Sequence, residues 1–149
     1  MIDLARPTAL PDPEARPELY DDTPTKRAMA WVVDVIVSTA MTVVLIPFTA
    51  FTAIFYLPLL YLIVGFCYRW ATLSRGSATW GMRLMAIEIR RGDGAPLDPG
   101  TAFAHTLAYA VSWAIFPLQI VSGALMSVTA RRQGLGDHVL GTAAVNRSL

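Results

Sequence analysis

The chain has 149 residues, of which 54% are hydrophobic and only 15% charged, against about 25% charged in an average soluble domain. A soluble fold of this size needs a polar coat, and the middle of this sequence cannot supply one. The net charge of +1 conceals an asymmetry: residues 1–22 carry six acids and two bases, the remainder ten bases and five acids. Those later arginines stand at the ends of apolar runs, a placement set by membrane topology rather than by nucleic-acid binding.

Residues 1–25 hold five of the ten prolines and are predicted to form a disordered, acidic cytoplasmic tail. They do not read as a cleavable signal peptide, because the apolar stretch starts late, contains Asp34 and is followed by a second long apolar run. A first membrane helix is predicted over 28–46, preceded by Lys26 and Arg27 and ended by Pro47. Its length at 1.5 Å per residue is roughly 28 Å, about the thickness of the hydrocarbon core. A second is predicted over 51–73, with Pro58 and Gly65 inside and Arg69 near its end. The short link at 47–50 implies an antiparallel hairpin.

Residues 74–101 change character and are expected to form a cytoplasmic hairpin. A loop at 74–79 precedes an interfacial segment at 80–85. Residues 86–90 then alternate as a short strand does, Gly92-Asp93-Gly94 supplies turn chemistry, and Asp98 is placed to cap the next helix. Residues 102–130 contain no formal charge, but Pro117, Gln119, Ser122 and Gly123 interrupt them. A single crossing there would put Arg131 and Arg132 on the face opposite the other basic flanks. A re-entrant hairpin or two short helices return them, and the positive-inside rule favours that arrangement. Residues 131–149 form a cytoplasmic C-terminal segment, in which a strand at 142–145 is able to pair with 86–89. The expected fold is thus an all-α membrane protein: a transmembrane helical hairpin, a re-entrant or short-helix hairpin, and a small cytoplasmic β element.

Asp34 is the most informative residue. A carboxylate inside a membrane helix costs about 2.5–3.5 kcal/mol on insertion scales, so it must face protein or water. Arg27, Asp34, Ser38 and Thr42 make a polar stripe on one face of the first helix. An ion or proton site and a structural ion pair both fit this stripe, and the structural reading is preferred. Side chains lean toward the helix N-terminus, which carries Arg27 away from Asp34; Arg69, returning at a similar depth, is the expected partner of Asp34. Chemistry elsewhere is sparse. Cys67 is the only cysteine, and His105 and His138 have no second ligand at metal spacing, so neither a metal site nor a cofactor is expected. No serine lies in a nucleophile elbow, and Gly134-Leu135-Gly136 makes no phosphate loop.

These residues carry a resemblance. Arg27-x6-Asp34, then Thr79-Trp80-Gly81-Met82-Arg83 with Gly92-Asp93-Gly94, then Gly136-Asp137 and Gly141-Thr142, resemble the RDD family of bacterial membrane proteins over about residues 25–147. The resemblance implies that the arginine and two aspartates of the family name are Arg27, Asp34 and Asp137. The chain departs from the family pattern at Gly81-Met82, where Gly-Lys is common, and at His105, near a common arginine. The expected function is non-enzymatic: an accessory or assembly component of a larger complex in the bacterial inner membrane, multi-pass, with its N-terminus cytoplasmic. The alternative is a homo-oligomeric transporter of an ion or small solute. Expected partners are membrane lipids and either a membrane protein or further copies of the chain, without nucleic acid.

Overall fold

A computed structural model describes residues 8–147. Helix α1 (Thr23–Leu45) and helix α2 (Leu57–Gly76) form the hairpin. Asp34 meets Tyr68 and Ser38 lies 4.0 Å from the Cβ position of Gly65, so the two run antiparallel. Both apolar runs, 17–49 and 52–76, are long enough to cross a membrane. Each helix starts on a proline-bearing first turn, where a missing N–H costs nothing: Pro24 in α1 and Pro58 in α2. Pro24 therefore belongs to the helix rather than to the tail, and Pro58 opens α2 instead of interrupting it. The link is longer than 47–50, since two short 3-10 turns, Pro47–Thr49 and Thr52–Tyr56, fill it.

Helix α1 is patterned inside out relative to a soluble helix. Its buried positions are Thr23, Ala30, Asp34, Ser38 and Thr42, whereas Ile36 is 63% exposed and Val44 62%. Small and polar side chains face the neighbouring helices and large apolar ones face outward. Water disfavours that arrangement, and hydrocarbon selects it.

Beneath the hairpin lie the short helix α3 (Trp80–Leu84) and strand β1 (Ile87–Arg91). Residues 77–79 are buried rather than forming the surface loop expected at 74–79. Helices α4 (Pro99–Ala114) and α5 (Pro117–Val128) follow, bent by 117° at Ile115–Phe116. The uncharged stretch is thus two short helices, not one. The break falls before Pro117, which cannot donate to the preceding turn, while Ser122 and Gly123 stay helical. Asp98 caps α4, its Oδ1 accepting from Thr101 N at 2.8 Å. Helix α6 (Leu135–Leu140) and strand β2 (Thr142–Asn146) close the chain, with Gly141 at φ 65° making the turn between them.

Strands β1 and β2 pair antiparallel, with Ile89 opposite Ala144 and Ile87 opposite Asn146. Cysteines at 89 and 144, in a Cys67→Ser background, should therefore form a disulfide on mild oxidation. A pair at 87 and 144, two residues out of register, is diagonal at roughly 7–8 Å and should not. The reverse result would refute this register.

The expected disorder of residues 1–25 does not hold for residues 8–25. Ala9 N and Thr8 Oγ1 both donate to Gly92 O, at 2.7 and 2.8 Å. Leu10 and Tyr20 are buried against Ala143 and Val145, and Tyr20 OH donates to Pro11 O at 2.8 Å. The prolines do not prevent this packing, because the segment needs no continuous ladder: it lies on β2 through apolar contacts and isolated hydrogen bonds. Residues 1–7 lie outside the described residues.

Candidate functional site

Two carboxylates organise the end of the helical layer that carries α3, α6 and the two-stranded sheet, and each gathers segments far apart in the chain. Asp34 is 8% exposed. Its Oδ1 accepts from Tyr68 OH at 2.6 Å and from Gly81 N at 2.9 Å, and its Oδ2 accepts from Thr79 Oγ1 at 2.6 Å. The donors come from α2 and from the start of α3. Thr79 Oγ1 in turn accepts from Met82 N at 3.2 Å, and so caps α3. Position 81 must be glycine: a Cβ there would run into the Ala30 carbonyl oxygen of α1 and lie 2.8 Å from Asp34 Oδ1. The Thr79-Trp80-Gly81 run is thus the socket into which Asp34 fits.

Arg69 is not the partner of Asp34. The expectation relied on depth in the helix, but Asp34 Oδ1 and Oδ2 are already held by three neutral donors. Arg69 instead lies against the face of Tyr109, its guanidinium carbon 4.2 Å from the ring centroid.

Asp137, on α6, is the second centre and is fully buried as a side chain. Arg27 Nη1 donates to its Oδ2 at 2.5 Å, and Gly134 N donates to the same atom at 3.1 Å. Its Oδ1 accepts from Thr142 Oγ1 at 2.9 Å and lies 3.0 Å from His105 Nε2. Burial alone would push this carboxyl's pKa up. The Arg27 guanidinium and the His105 hydrogen bond outweigh burial and hold it well below the usual carboxylate range. One side chain therefore ties α1, α4, α6 and β2 together. Lys26 reinforces the junction, its Nζ donating to Asn146 Oδ1 at 2.7 Å.

Of the four residues singled out in the sequence, Arg27 and Asp137 are brought together, whereas Asp34 and Arg69 are close neighbours without a bond. Sequence reasoning missed His105, Tyr68 and Thr142 as ligands of the carboxylates. His105 gave a signal in standing where an arginine is common, next to an acid that needs a donor. Tyr68 gave none, since tyrosine is ordinary at a membrane interface. Among the described residues no group of three His, Cys, Asp or Glu is arranged to hold a metal ion.

Two cavities meet at Arg69. The smaller, about 350 Å³, extends toward Arg27, His105 and Asp137. The larger, about 680 Å³, is apolar and lies among Leu62, Phe66 and Val111. Compared with known proteins, residues 22–141 match the model of the RDD family. No curated protein and no solved structure matches.

Proposed function

Because the chain belongs to the RDD family, we propose that it acts as a non-enzymatic membrane component that joins a larger assembly in the bacterial inner membrane, with both ends cytoplasmic. The observation that carries this reading is the saturation of the motif. Asp34 accepts three hydrogen bonds and Asp137 accepts three, with His105 beside it and an arginine among its donors. A carboxylate held this way is built to fix segments in place. A cation carrier needs one that exchanges partners. The outward-facing apolar side chains of α1 and α2 supply surface for lipid and for helices of a partner.

Purification of the full chain in mild detergent from its native membrane should yield it in fixed stoichiometry with a larger membrane protein. Reporter fusions at residue 20 and after residue 149 should both read cytoplasm. A homo-oligomer without other subunits would overturn the assembly reading and favour the second one, a solute transporter. That alternative draws support from the two cavities meeting at Arg69 in the interior of the helical layer.

A further inference from the structure

Arg69 is a buried guanidinium that the protein does not itself satisfy. The residue is 9% exposed, and its Nε has no hydrogen-bond partner. Among the described residues it enters no ion pair. The nearby carboxylates are engaged elsewhere, Asp34 with Tyr68, Thr79 and Gly81, and Asp137 with Arg27. What Arg69 does touch is the Tyr109 ring, held in place by Trp31, whose Nε1 donates to Tyr109 OH at 3.0 Å. A ring face offsets only part of the desolvation of a buried cation, and it leaves the N–H donors in the guanidinium plane unused.

Those donors border both cavities. The smaller one adds polar groups: the Gln119 amide, whose Oε1 accepts from Ser112 at 2.9 Å, and His105, whose buried Nδ1 also lacks a partner. The larger one is walled mainly by apolar side chains, with Asp34, whose oxygens are held by Tyr68, Thr79 and Gly81, and Ser38 among them. Its Leu62 is 66% exposed and Val111 43%, so it opens onto the outward-facing apolar surface. A planar fork of donors at the junction of a polar chamber and an apolar one is matched by an oxyanion attached to an apolar chain.

We propose that Arg69 anchors a binding site for an oxyanion, of the phosphate or carboxylate class, presented by a membrane amphiphile whose apolar part occupies the larger cavity. The site rests on Arg69 and the two cavities alone, and holds whether the chain is a subunit or a transporter. Its test is therefore separate from the stoichiometry measurement above.

The full chain, released from detergent micelles and weighed by native mass spectrometry, is titrated with phosphatidylglycerol and with phosphatidylcholine. Phosphatidylglycerol should be retained in preference. Arg69→Gln should weaken its retention by about ten- to a hundredfold, the factor expected for one lost charged hydrogen-bonding contact. Arg91→Gln, at a half-buried arginine paired with Asp93 and Asp98 and lining neither cavity, should leave retention unchanged. Should Arg69→Gln not fold, Arg69→Lys keeps the charge but loses the fork, and is expected to weaken retention about tenfold. Inorganic phosphate serves as the headgroup-free probe. Arg69-dependent binding of inorganic phosphate as tight as that of phosphatidylglycerol would overturn the amphiphile and assign the site to a free anion, whereas much weaker phosphate binding supports the lipid. Equal retention of the two lipids, equal retention by wild type and both Arg69 variants, or an equal loss in Arg91→Gln would each overturn the proposal.

Discussion

Asp137→Ala is expected to destabilise the folded protein by about 3–5 kcal/mol, because it strands the Arg27 guanidinium in a buried site. It also leaves Thr142 Oγ1 and Gly134 N without their acceptor. Arg27→Ala should cost a similar amount by stranding the carboxylate. The double variant should cost less than the two singles together, by about 0.5–3 kcal/mol; strict additivity would mean that the pair is not coupled. The pH dependence follows from the depressed pKa of Asp137. A carboxyl whose folded pKa lies below its unfolded one, near 4, contributes stability that is fully present above that unfolded value. The contribution is lost as pH falls toward the folded value. Melting curves should therefore be insensitive to this group between pH 5 and 8 (roughly a unit above the unfolded pKa and beyond). Below about pH 4 the wild type should lose stability faster than Asp137→Asn, which has no such proton to bind. Parallel curves in acid would remove Arg27–Asp137 as the source.

The second large effect is expected at Asp34. Alanine there leaves Tyr68 OH, Thr79 Oγ1 and Gly81 N without their shared acceptor, at about 1–3 kcal/mol for each stranded donor, and unties the start of α3 from α1. A fall in stability of about 3–5 kcal/mol is expected, near the upper end for a single substitution. Asparagine should be much milder, about 1 kcal/mol. Its carbonyl oxygen replaces Oδ1 toward Tyr68 and Gly81, and only the Thr79 hydroxyl proton loses its partner. A charge-pairing role with Arg69 predicts the opposite, an asparagine variant nearly as damaged as alanine. A third outcome is also decisive. If Asp34→Asn is stable yet abolishes a sodium- or pH-dependent flux in liposomes, Asp34 is a transport site and the structural reading of the motif fails.

The parts of this fold that the sequence announced are those governed by local rules. Apolar length gave both helices of the hairpin, the β-type alternation at 86–90 found its partner at 142–145, and Asp98 capped α4. Pro117 foretold a broken helix, although the break falls at Ile115–Phe116, just before Pro117, and leaves Ser122 and Gly123 helical. The parts that escaped are those governed by surplus and competition. Residues 8–25 look too polar and proline-rich to fold, yet two apolar side chains, Leu10 and Tyr20, suffice because β2 offers a finished surface to dock on. The sequence pairs Arg69 with Asp34 because opposite charges at equal depth attract. Neutral hydroxyl and amide donors reached the carboxylate instead, and no pattern of charges along a chain reveals which donor the backbone will deliver.

The two carboxylate clusters also set a clock. Asp34 is made 45 residues before the Thr79 hydroxyl that receives it, and at about 5–20 residues per second that interval is roughly 2–9 s. Arg27 precedes Asp137 by 110 residues, which at the same rate is roughly 5–20 s. During that time α1 carries two charges whose partners have not yet been synthesised. Its final seating therefore waits for Asp137: the contacts of α1 cannot all close until the segment that carries α6 has been made.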